Sequence, residues 1–483
     1  MILRRPVQPI RMVNTMLVYA VPVRGSLLVS ILIVSLATIA VAQPTRRGLV
    51  MISIDGLRPD HILDADKHHL AIPNLRDILK RGAHASGVRG VLPTVTYPSH
   101  TTMLTGVAPA KHGILNNTTF DPLGTNLDGW YWYSEDIRVP TLWDAAARAG
   151  YKVGSVSWPV SAGTAGISVL IPEYWRSMQP DDLKLQRLLS TPGLLSEFEK
   201  KLGPYKTDLR DAVPADWART RYAAEIIRAR HARFITVPLG ALDHIEHDHG
   251  PLSPEAFATL EEIDKMVGEI AQAMKSETPE AAICIVSDHG FASVDHVLNL
   301  RVAFVDAGLI TPNPRRTSAR SPALSDWKAQ TWESAGSAMV MLKDPRDTAT
   351  RDGVERLLRR LASNPENGIE AILDSKAIVA LGGSPDAAFL VDMKSGFLIE
   401  GVMTGPLVTQ RKPGGAHGYS PTHPELRASF LFAGPGVRGG ADVGEIDMRS
   451  IAATLAAYLG VKLPTADLPA LDIFTSTVVA PRR

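Results

Sequence analysis

The sequence has 483 residues, of which 45% are hydrophobic and 21% are charged, and its formal net charge is +1. This composition is typical of globular proteins and excludes a disordered or low-complexity chain. Near-neutrality also excludes the strongly basic surface that proteins use to bind nucleic-acid duplexes.

The first 42 residues have the layout of an export signal. They hold four arginines and no acid, and they end in an apolar run from Leu27 to Ala42 that closes with Ala40-Val41-Ala42. Basic, apolar and small residues in this order are typical of a cleaved secretory signal, and the run is shorter than the roughly 20 residues of a membrane span. We therefore predict a signal peptide over 1–42, a periplasmic or secreted protein, and no stable membrane anchor after cleavage.

Residues 43–483 are expected to form the folded domain of the protein. Of the 51 basic residues, four lie in the predicted leader, which leaves 47 against 50 acidic ones and a formal net charge of −3.

Three apolar runs end on an acid: "GLVMISID" at Asp55, "RFITVPLGALD" at Asp243 and "AAICIVSD" at Asp288. Each is typical of a buried strand in a parallel sheet, and "ASFLFAGPGV" is a fourth candidate. Ligand sites of open α/β sheets lie beyond the carboxyl ends of the strands. The three carboxylates are therefore expected to converge there.

Helical patterns lie between these runs, at Thr141 to Gly150 and at Glu255 to Lys275. Strands alternating with helices predict an α/β fold, doubly wound, with a mostly parallel central sheet flanked by helices. The region 301–412 is less regular. It holds a predicted exposed loop, "TPNPRRTSARSP", and an amphipathic helix, "DGVERLLRRLAS". We predict that it is an insertion or cap.

Aspartates and histidines are the candidate metal ligands, because the single cysteine, Cys284, lies in an apolar run and is expected to be a buried small hydrophobe. An isolated Asp after a strand is usually a helix cap, and an isolated His is usually structural. Five segments flanked by loop glycines favour metal binding instead, and paired ions about 4 Å apart can clamp a phosphoryl group. The candidates are Asp55, Asp243, His247, Asp288, His289 and His417.

Hydroxyl groups are concentrated between Leu92 and Asn117, where "SHTTMLTG" begins to look helical. A threonine at a helix N-terminus sees the positive end of the helix dipole, and a neighbouring zinc ion would stabilise its alkoxide. Such a residue is a candidate nucleophile, with a helix cap as the ordinary alternative.

Five motifs in this order resemble the nucleotide pyrophosphatase/phosphodiesterase family (type I phosphodiesterases) of the alkaline phosphatase superfamily. They are "ISIDGLRPD", "PTVTYPSHTTMLTGVAPAKHGI", "LDHIEHDHGP", "VSDHGF" and "GAHGYSP". The resemblance covers about Leu49 to Val437 and implies an alkaline-phosphatase-like fold and a zinc-dependent phosphoric diester hydrolase.

The resemblance also implies two zinc ions and a phosphothreonine intermediate. The nucleophile would be Thr96, with Thr94 a structural neighbour, and Asn117 would donate to a phosphoryl oxygen. Tyr97 and Trp158 would line the substrate pocket. One zinc would be held by Asp55, Thr96, Asp288 and His289, and the other by Asp243, His247 and His417.

Several alternatives stay open around this assignment. A phosphomonoesterase usually has a Lys-x-Arg pair, whereas the corresponding stretch Gly154 to Gly163 has no basic residue, and Val160 replaces a family glycine. A sulfatase would need arginine where His100 stands. A lipid or choline phosphodiesterase fits the same metal centre, although we favour nucleotide-type small-molecule substrates. The complete ligand set argues against a non-catalytic binding protein.

The remaining histidines are expected to have structural or surface positions. His100 and His112 would position the helix and loop of the second motif, and His423 would lie in a turn between prolines. We expect Asp248 and His249 to lie in a loop, and His61, His68 and His69 to lie on the surface.

Overall fold

A computed structural model of the chain describes residues 47–126, 129–174, 181–206, 212–315 and 323–475. The predicted signal peptide, and residues 316–322 of the predicted exposed loop, lie outside these ranges. Among the helices of the described ranges, none combines the length and the hydropathy needed to span a bilayer.

The strands, in chain order, are β1 (Leu49–Ile54), β2 (Ala83–His84), β3 (Gly87–Arg89), β4 (Val153–Val156), β5 (Val169–Ile171), β6 (Phe234–Leu239), β7 (Ala282–Val286), β8 (Ala292–Leu298), β9 (Ile310–Pro312), β10 (Leu324–Trp327), β11 (Ala329–Glu333), β12 (Ser337–Leu342), β13 (Ile369–Asp374), β14 (Phe389–Met393), β15 (Gly396–Ile399), β16 (Val408–Ala416), β17 (Phe430–Ala433), β18 (Ala441–Asp442) and β19 (Glu445–Asp447).

The helices, in chain order, are α1 (Pro59–Leu63), α2 (Pro73–Arg81), α3 (Thr96–Thr105), α4 (Pro109–His112), α5 (Leu142–Arg148), α6 (Asp182–Leu189), α7 (Leu194–Leu202), α8 (Ala212–Arg230), α9 (Ala241–His249), α10 (Pro254–Glu277), α11 (Leu300–Asp306), α12 (Thr348–Ala362), α13 (Ser375–Ala380) and α14 (Ser450–Leu459).

The central sheet has eight strands in the order β18-β2-β17-β7-β1-β6-β4-β5. From β7 to β5 all neighbours are parallel, and β17 pairs antiparallel with β7. The three runs that end on acids form β1, β6 and β7, and every residue of β1 and β6 is buried. The predicted α/β fold with a mostly parallel sheet is therefore confirmed.

Apolar side chains fill both faces of this sheet. One core cluster includes Val50 and Ile52 of β1 with Ile263 of α10, and the other includes Leu49 and Met51 on the opposite face. Alternate residues of one strand thus enter two different cores, because successive side chains of a strand point to opposite faces. Burial on both faces explains why these strands are continuous apolar runs.

Helix ends follow the expected capping chemistry. Thr141 caps α5 by accepting the Asp144 backbone N–H, and Gly150 lies just beyond the helix at φ +78°, a left-handed conformation that favours glycine. The predicted helix from Glu255 to Lys275 is α10, and "DGVERLLRRLAS" lies in α12.

The region predicted as an insertion contains a second sheet. Its four antiparallel strands have the order β11-β12-β14-β13, and β15-β8-β16 form a separate three-stranded sheet. A third core cluster lies here, with Val340 of β12 and Leu358 of α12. The bounds 301–412 for an insertion remain a prediction.

Candidate metal centre and nucleophile

One group of candidate ligands lies at the carboxyl ends of β1 and β7, which are neighbours in the sheet. Asp55 directly follows β1, and Asp288 and His289 follow β7 by two and three residues. The His289 Nε2 atom lies 3.4 Å from Asp55 Oδ1 and 3.2 Å from Asp288 Oδ2, and the side chains of Asp288 and His289 are fully buried. We call Asp55, Asp288 and His289 the buried ligand group.

A second group is centred on α9. Asp243 lies in the first turn of this helix and His247 lies one turn later, so both point to the same side. The Asp243 Oδ1 atom is 3.5 Å from Nε2 of His247 and 3.6 Å from Nε2 of His417, which follows β16. Asp243, His247 and His417 are the helix ligand group.

The two groups touch through their histidines. The rings of His289 and His417 stack with centroids 3.7 Å apart and planes 10° from parallel. Within each group the ligand atoms lie within 4.8 Å of one another, close enough to share one ion. The sheet therefore brings together six residues that are spread over more than 360 positions of the chain.

Backbone carbonyls orient all three histidines in the same way. The Nδ1 atoms of His247, His289 and His417 lie 3.1, 3.2 and 3.2 Å from the carbonyl oxygens of Gly415, Gly290 and Thr94, respectively. A carbonyl only accepts, so each Nδ1 carries the proton and each Nε2 presents a lone pair. This arrangement is typical of metal-ligating histidines.

The polar atoms that face each other here have no hydrogen-bond partner within the described part of the chain. These buried atoms are Asp55 Oδ1, Asp243 Oδ1, Asp288 Oδ2 and His289 Nε2. Buried polar groups normally have partners, and carboxylates and imidazoles that face one another are the donor set of a divalent cation. The residues present therefore fit a metal ion in each group.

The pKa shifts of these residues show what a bound cation would stabilise. Burial, followed by the nearby Asp288, raises the pKa of Asp55 well above its ordinary value, and burial raises the pKa of Asp243 to about 6. Burial also lowers the pKa of His289 and His417. Two bound divalent cations would offset both costs, because they favour the ionised carboxylates and the neutral imidazoles.

Thr96 is the first residue of α3, so this helix begins three residues earlier than "SHTTMLTG" indicated. Thr96 is half-buried, whereas its neighbours Thr94, Val95 and Tyr97 are buried. The carbonyl oxygen of Thr96 lies 2.8 Å from His100 Nδ1, which is also 3.6 Å from Asp288 Oδ2. His100 thus connects the backbone of Thr96 to the buried ligand group.

Thr94 has a different environment. Its side chain is fully buried and its hydroxyl donates to the Tyr419 carbonyl oxygen at 2.9 Å, while its own carbonyl accepts from the Gly418 N–H. These bonds indicate a structural role for Thr94. Of the two threonines, Thr96 is the more accessible.

Asn117 is held in a fixed orientation beside α3. Its Oδ1 accepts the Tyr97 backbone N–H at 2.9 Å, and its own N–H donates to Asn116 Oδ1. Because a backbone N–H can only donate, the amide oxygen faces Tyr97 and the NH₂ group faces the other way. The NH₂ group is thereby left as the donor of this amide, and its contact with an anion near Thr96 stays a prediction.

Tyr97 and Trp158 are more deeply buried than their predicted substrate contact requires. Tyr97 is 1% exposed and packs against Trp130 and Trp132, with centroids 5.1 and 6.1 Å away. Trp158 is fully buried against His100. Their contact with substrate stays a prediction, and half-buried Trp130 and Tyr131 are neighbouring aromatics with exposed surface.

Val160 takes the backbone conformation of the glycine that the resemblance leads one to expect. It has φ +55° and is fully buried in the cluster around Tyr97. A left-handed β-branched residue costs about 1–2 kcal/mol relative to the right-handed region. Its side chain fills space beside Tyr97 that a glycine would leave open.

Other histidines differ partly from expectation. His112 accepts the Ile114 N–H at Nδ1 and lies 3.0 Å from the Thr102 hydroxyl, which agrees with a positioning part. The surface prediction for His61 is wrong: this residue is fully buried, with Nε2 2.6 Å from the Pro251 carbonyl. The loop that ends α9 covers it, a contact across 190 positions.

The loop prediction for Asp248 and His249 is also wrong, since α9 continues to His249 and ends at Gly250. Sequence reasoning further missed Asp216 of α8. Its two carboxylate oxygens accept the N–H groups of Gly240 and Ala241, at 3.1 and 2.8 Å, and so cap the helix that carries Asp243.

Comparisons with known proteins agree with this geometry. The family model described as "Type I phosphodiesterase / nucleotide pyrophosphatase" matches residues 49–420. The chain belongs to this family of α/β proteins.

Two curated relatives and one solved structure show how far the likeness extends. Human ectonucleotide pyrophosphatase/phosphodiesterase family member 5 is 27% identical over 282 residues, which are 55% of this chain and 49% of that protein. Venom phosphodiesterase 2 of Crotalus adamanteus is 24% identical over 254 residues, 51% of this chain and 27% of the relative. The chain thus aligns with about a quarter to a half of these relatives.

The solved structure of the human family member 5 has the same fold. It superposes with a TM-score of 0.60 at 18% identity and covers 90% of this chain and 99% of that structure.

Proposed function

We propose that the protein hydrolyses phosphodiester or pyrophosphate bonds of small, nucleotide-type substrates through a phosphothreonine on Thr96. The observation that supports this most directly is the pair of touching ligand groups, to which His100 connects the half-buried threonine at the start of α3. Export of the enzyme is part of the same proposal and rests on the predicted leader.

Asp55, Asp288, His289 and Thr96 would hold one zinc ion, and Asp243, His247 and His417 would hold the other. When bound, two zinc ions supply positive charge that lowers the pKa of an attacking hydroxyl and stabilises a leaving oxygen.

The chain's own residues would carry the two chemical steps. Thr96 loses its hydroxyl proton to solvent and its oxygen forms a bond to phosphorus. The bond from phosphorus to the leaving oxygen breaks, and an alcohol leaving group takes up a proton from water as it departs. Water then attacks the phosphothreonine, which releases the phosphate monoester and restores the Thr96 hydroxyl. The Asn117 NH₂ group donates to a non-bridging oxygen in both steps, because Tyr97 already holds its amide oxygen.

Charge near the site favours a diester over a monoester. Arg219 is close enough to Tyr97 to affect the pKa of its phenol, but it donates to Asp216 Oδ1 at 2.7 Å and is 7% exposed. Its positive charge is therefore already compensated. A monoester dianion would lack this arginine as a partner, whereas a diester carries one negative charge.

The test is a side-by-side assay of the zinc-loaded protein on bis-p-nitrophenyl phosphate, p-nitrophenyl thymidine monophosphate and p-nitrophenyl phosphate. We expect kcat/KM to be highest for the thymidine diester and lowest for the monoester. A preference for the monoester contradicts the proposal. A preference for choline phosphodiesters over the thymidine compound contradicts the nucleotide assignment alone.

A further inference from the structure

The segment His417–Pro424, which we call the His417 loop, carries one ligand of the helix group and packs against the four-stranded sheet. Gly336 donates its N–H to the His417 carbonyl at 2.8 Å, and the Ser337 hydroxyl donates to the Gly418 carbonyl at 2.6 Å. Gly418 has φ +84°, and a Cβ atom there would lie 1.6 Å from the Ser334 carbonyl oxygen. The loop is therefore fitted closely to the β11–β12 turn.

Asp392 of β14 holds the other end of this loop. It is 3% exposed, its Oδ1 accepts the Ser420 N–H at 2.8 Å, and its Oδ2 lies 2.9 Å from His423 Nε2. The hydrogen bond to Asp392 is the main cause that raises the pKa of His423. One buried carboxylate thus fixes two points of the loop, three residues apart.

The same loop is tied to the segment that carries the nucleophile. The Tyr419 carbonyl accepts from both the N–H and the hydroxyl of Thr94, at 3.3 and 2.9 Å. The Thr94 carbonyl in turn orients His417 through Nδ1. A shift of the loop would therefore move His417 Nε2 away from Asp243.

We propose that Asp392 is a positioning residue for the metal centre: by holding Ser420 and His423, it fixes the His417 loop and so the third ligand of the helix group. The inference rests on the metal site of the proposed function. Asp392 itself touches neither a ligand side chain nor Thr96 in any of these contacts; it acts through the backbone of the loop.

The decisive measurement is zinc affinity, titrated against a chromophoric chelator on the full-length protein, together with melting temperature. Asp392→Ala should weaken one of the two zinc equivalents by about tenfold, the lower end of the roughly tenfold to 100-fold loss caused by removing a residue bonded directly to a ligand, because Asp392 acts through the loop backbone. Asp392→Asn should lie closer to wild type, because its amide still accepts from Ser420 and can donate to a neutral His423.

Asp264→Ala is the matched control. Asp264 is also buried, at 1% exposure, and its carboxylate accepts the N–H groups of Asn74 and Leu75 at 3.1 and 2.7 Å. These contacts cap α2, and none of them involves a residue of either ligand group. This variant should lower the melting temperature while leaving zinc affinity unchanged.

A double-mutant cycle tests the route through His417. In a His417→Ala background, Asp392→Ala should cause no further loss of zinc affinity, because the ligand that it positions is already absent. The proposal is overturned if Asp392→Ala weakens zinc binding in the His417→Ala background as much as it does in the wild type. It is also overturned if Asp392→Ala has wild-type zinc affinity, or if Asp264→Ala loses as much zinc affinity as Asp392→Ala.

If Asp392→Ala does not fold, His423→Ala takes its place, because it removes one of the two loop contacts of Asp392. Unchanged zinc affinity in His423→Ala then overturns the proposal. The proposed function fails separately, when the wild-type protein binds no zinc. If the wild type binds two zinc ions and Asp392→Ala binds them with unchanged affinity, only the positioning role of Asp392 is contradicted.

Discussion

The two ligand groups are built differently although their histidines touch. In the buried ligand group, Asp55 and His289 follow neighbouring parallel strands, and Asp55 has the most exposed side chain, at 13%. In the helix ligand group, the side chains of His247 and Asp243 are 38% and 21% exposed. The first group takes its rigidity from the central sheet, whereas the second needs support from elements outside that sheet.

The positions of the two ligand groups therefore depend on different parts of the fold. Residues that follow β1 and β7 are positioned as long as the sheet forms, because parallel neighbours end at one edge. The helix ligand group depends on the cap that Asp216 gives α9 and on the contacts of the His417 loop. Damage to those supports should impair one metal position and leave the other.

The largest effect is expected from Thr96→Ala. Removal of the attacking hydroxyl should reduce kcat by about 10³-fold or more, the scale on which nucleophile deletions act. Zinc content should stay near that of the wild type, because the carboxylate and imidazole ligands of both groups remain. Activity assays with metal analysis on the same sample check this.

Thr94→Ala is the comparison variant for Thr96. It removes the buried hydrogen bond to Tyr419, so it should lower the melting temperature. The variant should still form the phosphothreonine on Thr96 and hydrolyse the substrate. Loss of turnover in Thr94→Ala combined with an active Thr96→Ala would assign the nucleophile to the other threonine. Mass spectrometry of acid-quenched enzyme locates the phosphoryl group directly.

A smaller and selective effect is expected from His417→Ala. One zinc equivalent should bind much more weakly while the other remains. The melting temperature of the metal-free protein should fall less than in His289→Ala, since His417 follows β16 outside the central sheet and is 7% exposed. His289→Ala should also remove one equivalent but destabilise the metal-free fold more, because His289 is fully buried beside β7. Equal melting temperatures for the two variants would contradict the idea that the central sheet supports the buried ligand group more than the helix ligand group.

Local patterns were sufficient to predict that Asp55 and Asp288 lie at the same edge of the sheet. Asp55 and Asp288 follow apolar runs of strand length, and an acid directly after a buried strand can be recognised from neighbouring residues alone. The same strand pattern placed Asp243 with these two carboxylates and made His247 and His417 candidate ligands. Only the family resemblance assigned Asp243, His247 and His417 to one ion. The alternation of strands and helices was enough for the central sheet.

The supports of the helix ligand group could not be predicted in this way. Asp392 pairs with Ser420 and His423 from 28 and 31 positions away, and the contact depends on how β14 lies against the His417 loop. His61 was misplaced for the same reason, since its cover comes from Pro251. Pairings between distant segments leave no periodic pattern in the sequence.

The smallest predicted effect concerns the pH dependence of this long-range support. His423 has a pKa raised above its ordinary value of 6.5 by the hydrogen bond to Asp392, with Glu425 and Glu370 also contributing. A raised pKa means that the folded protein binds the proton more tightly than the unfolded chain. The stability from this pair is therefore complete below pH 6.5 and is lost as the pH rises through the folded-state pKa.

His423→Gln should consequently lower the melting temperature of the metal-free protein more at pH 6 than at pH 9. His296→Gln is the control, because His296 pairs with Asp295 at 2.6 Å on an exposed part of β8. A surface pair of this kind contributes about 0–1 kcal/mol, so its removal should cause a small shift at either pH. An equal shift for His423→Gln at both pH values would show that the imidazole stabilises the loop by packing rather than by charge. The ionic link between Asp392 and His423 would then be excluded as a support of the helix ligand group.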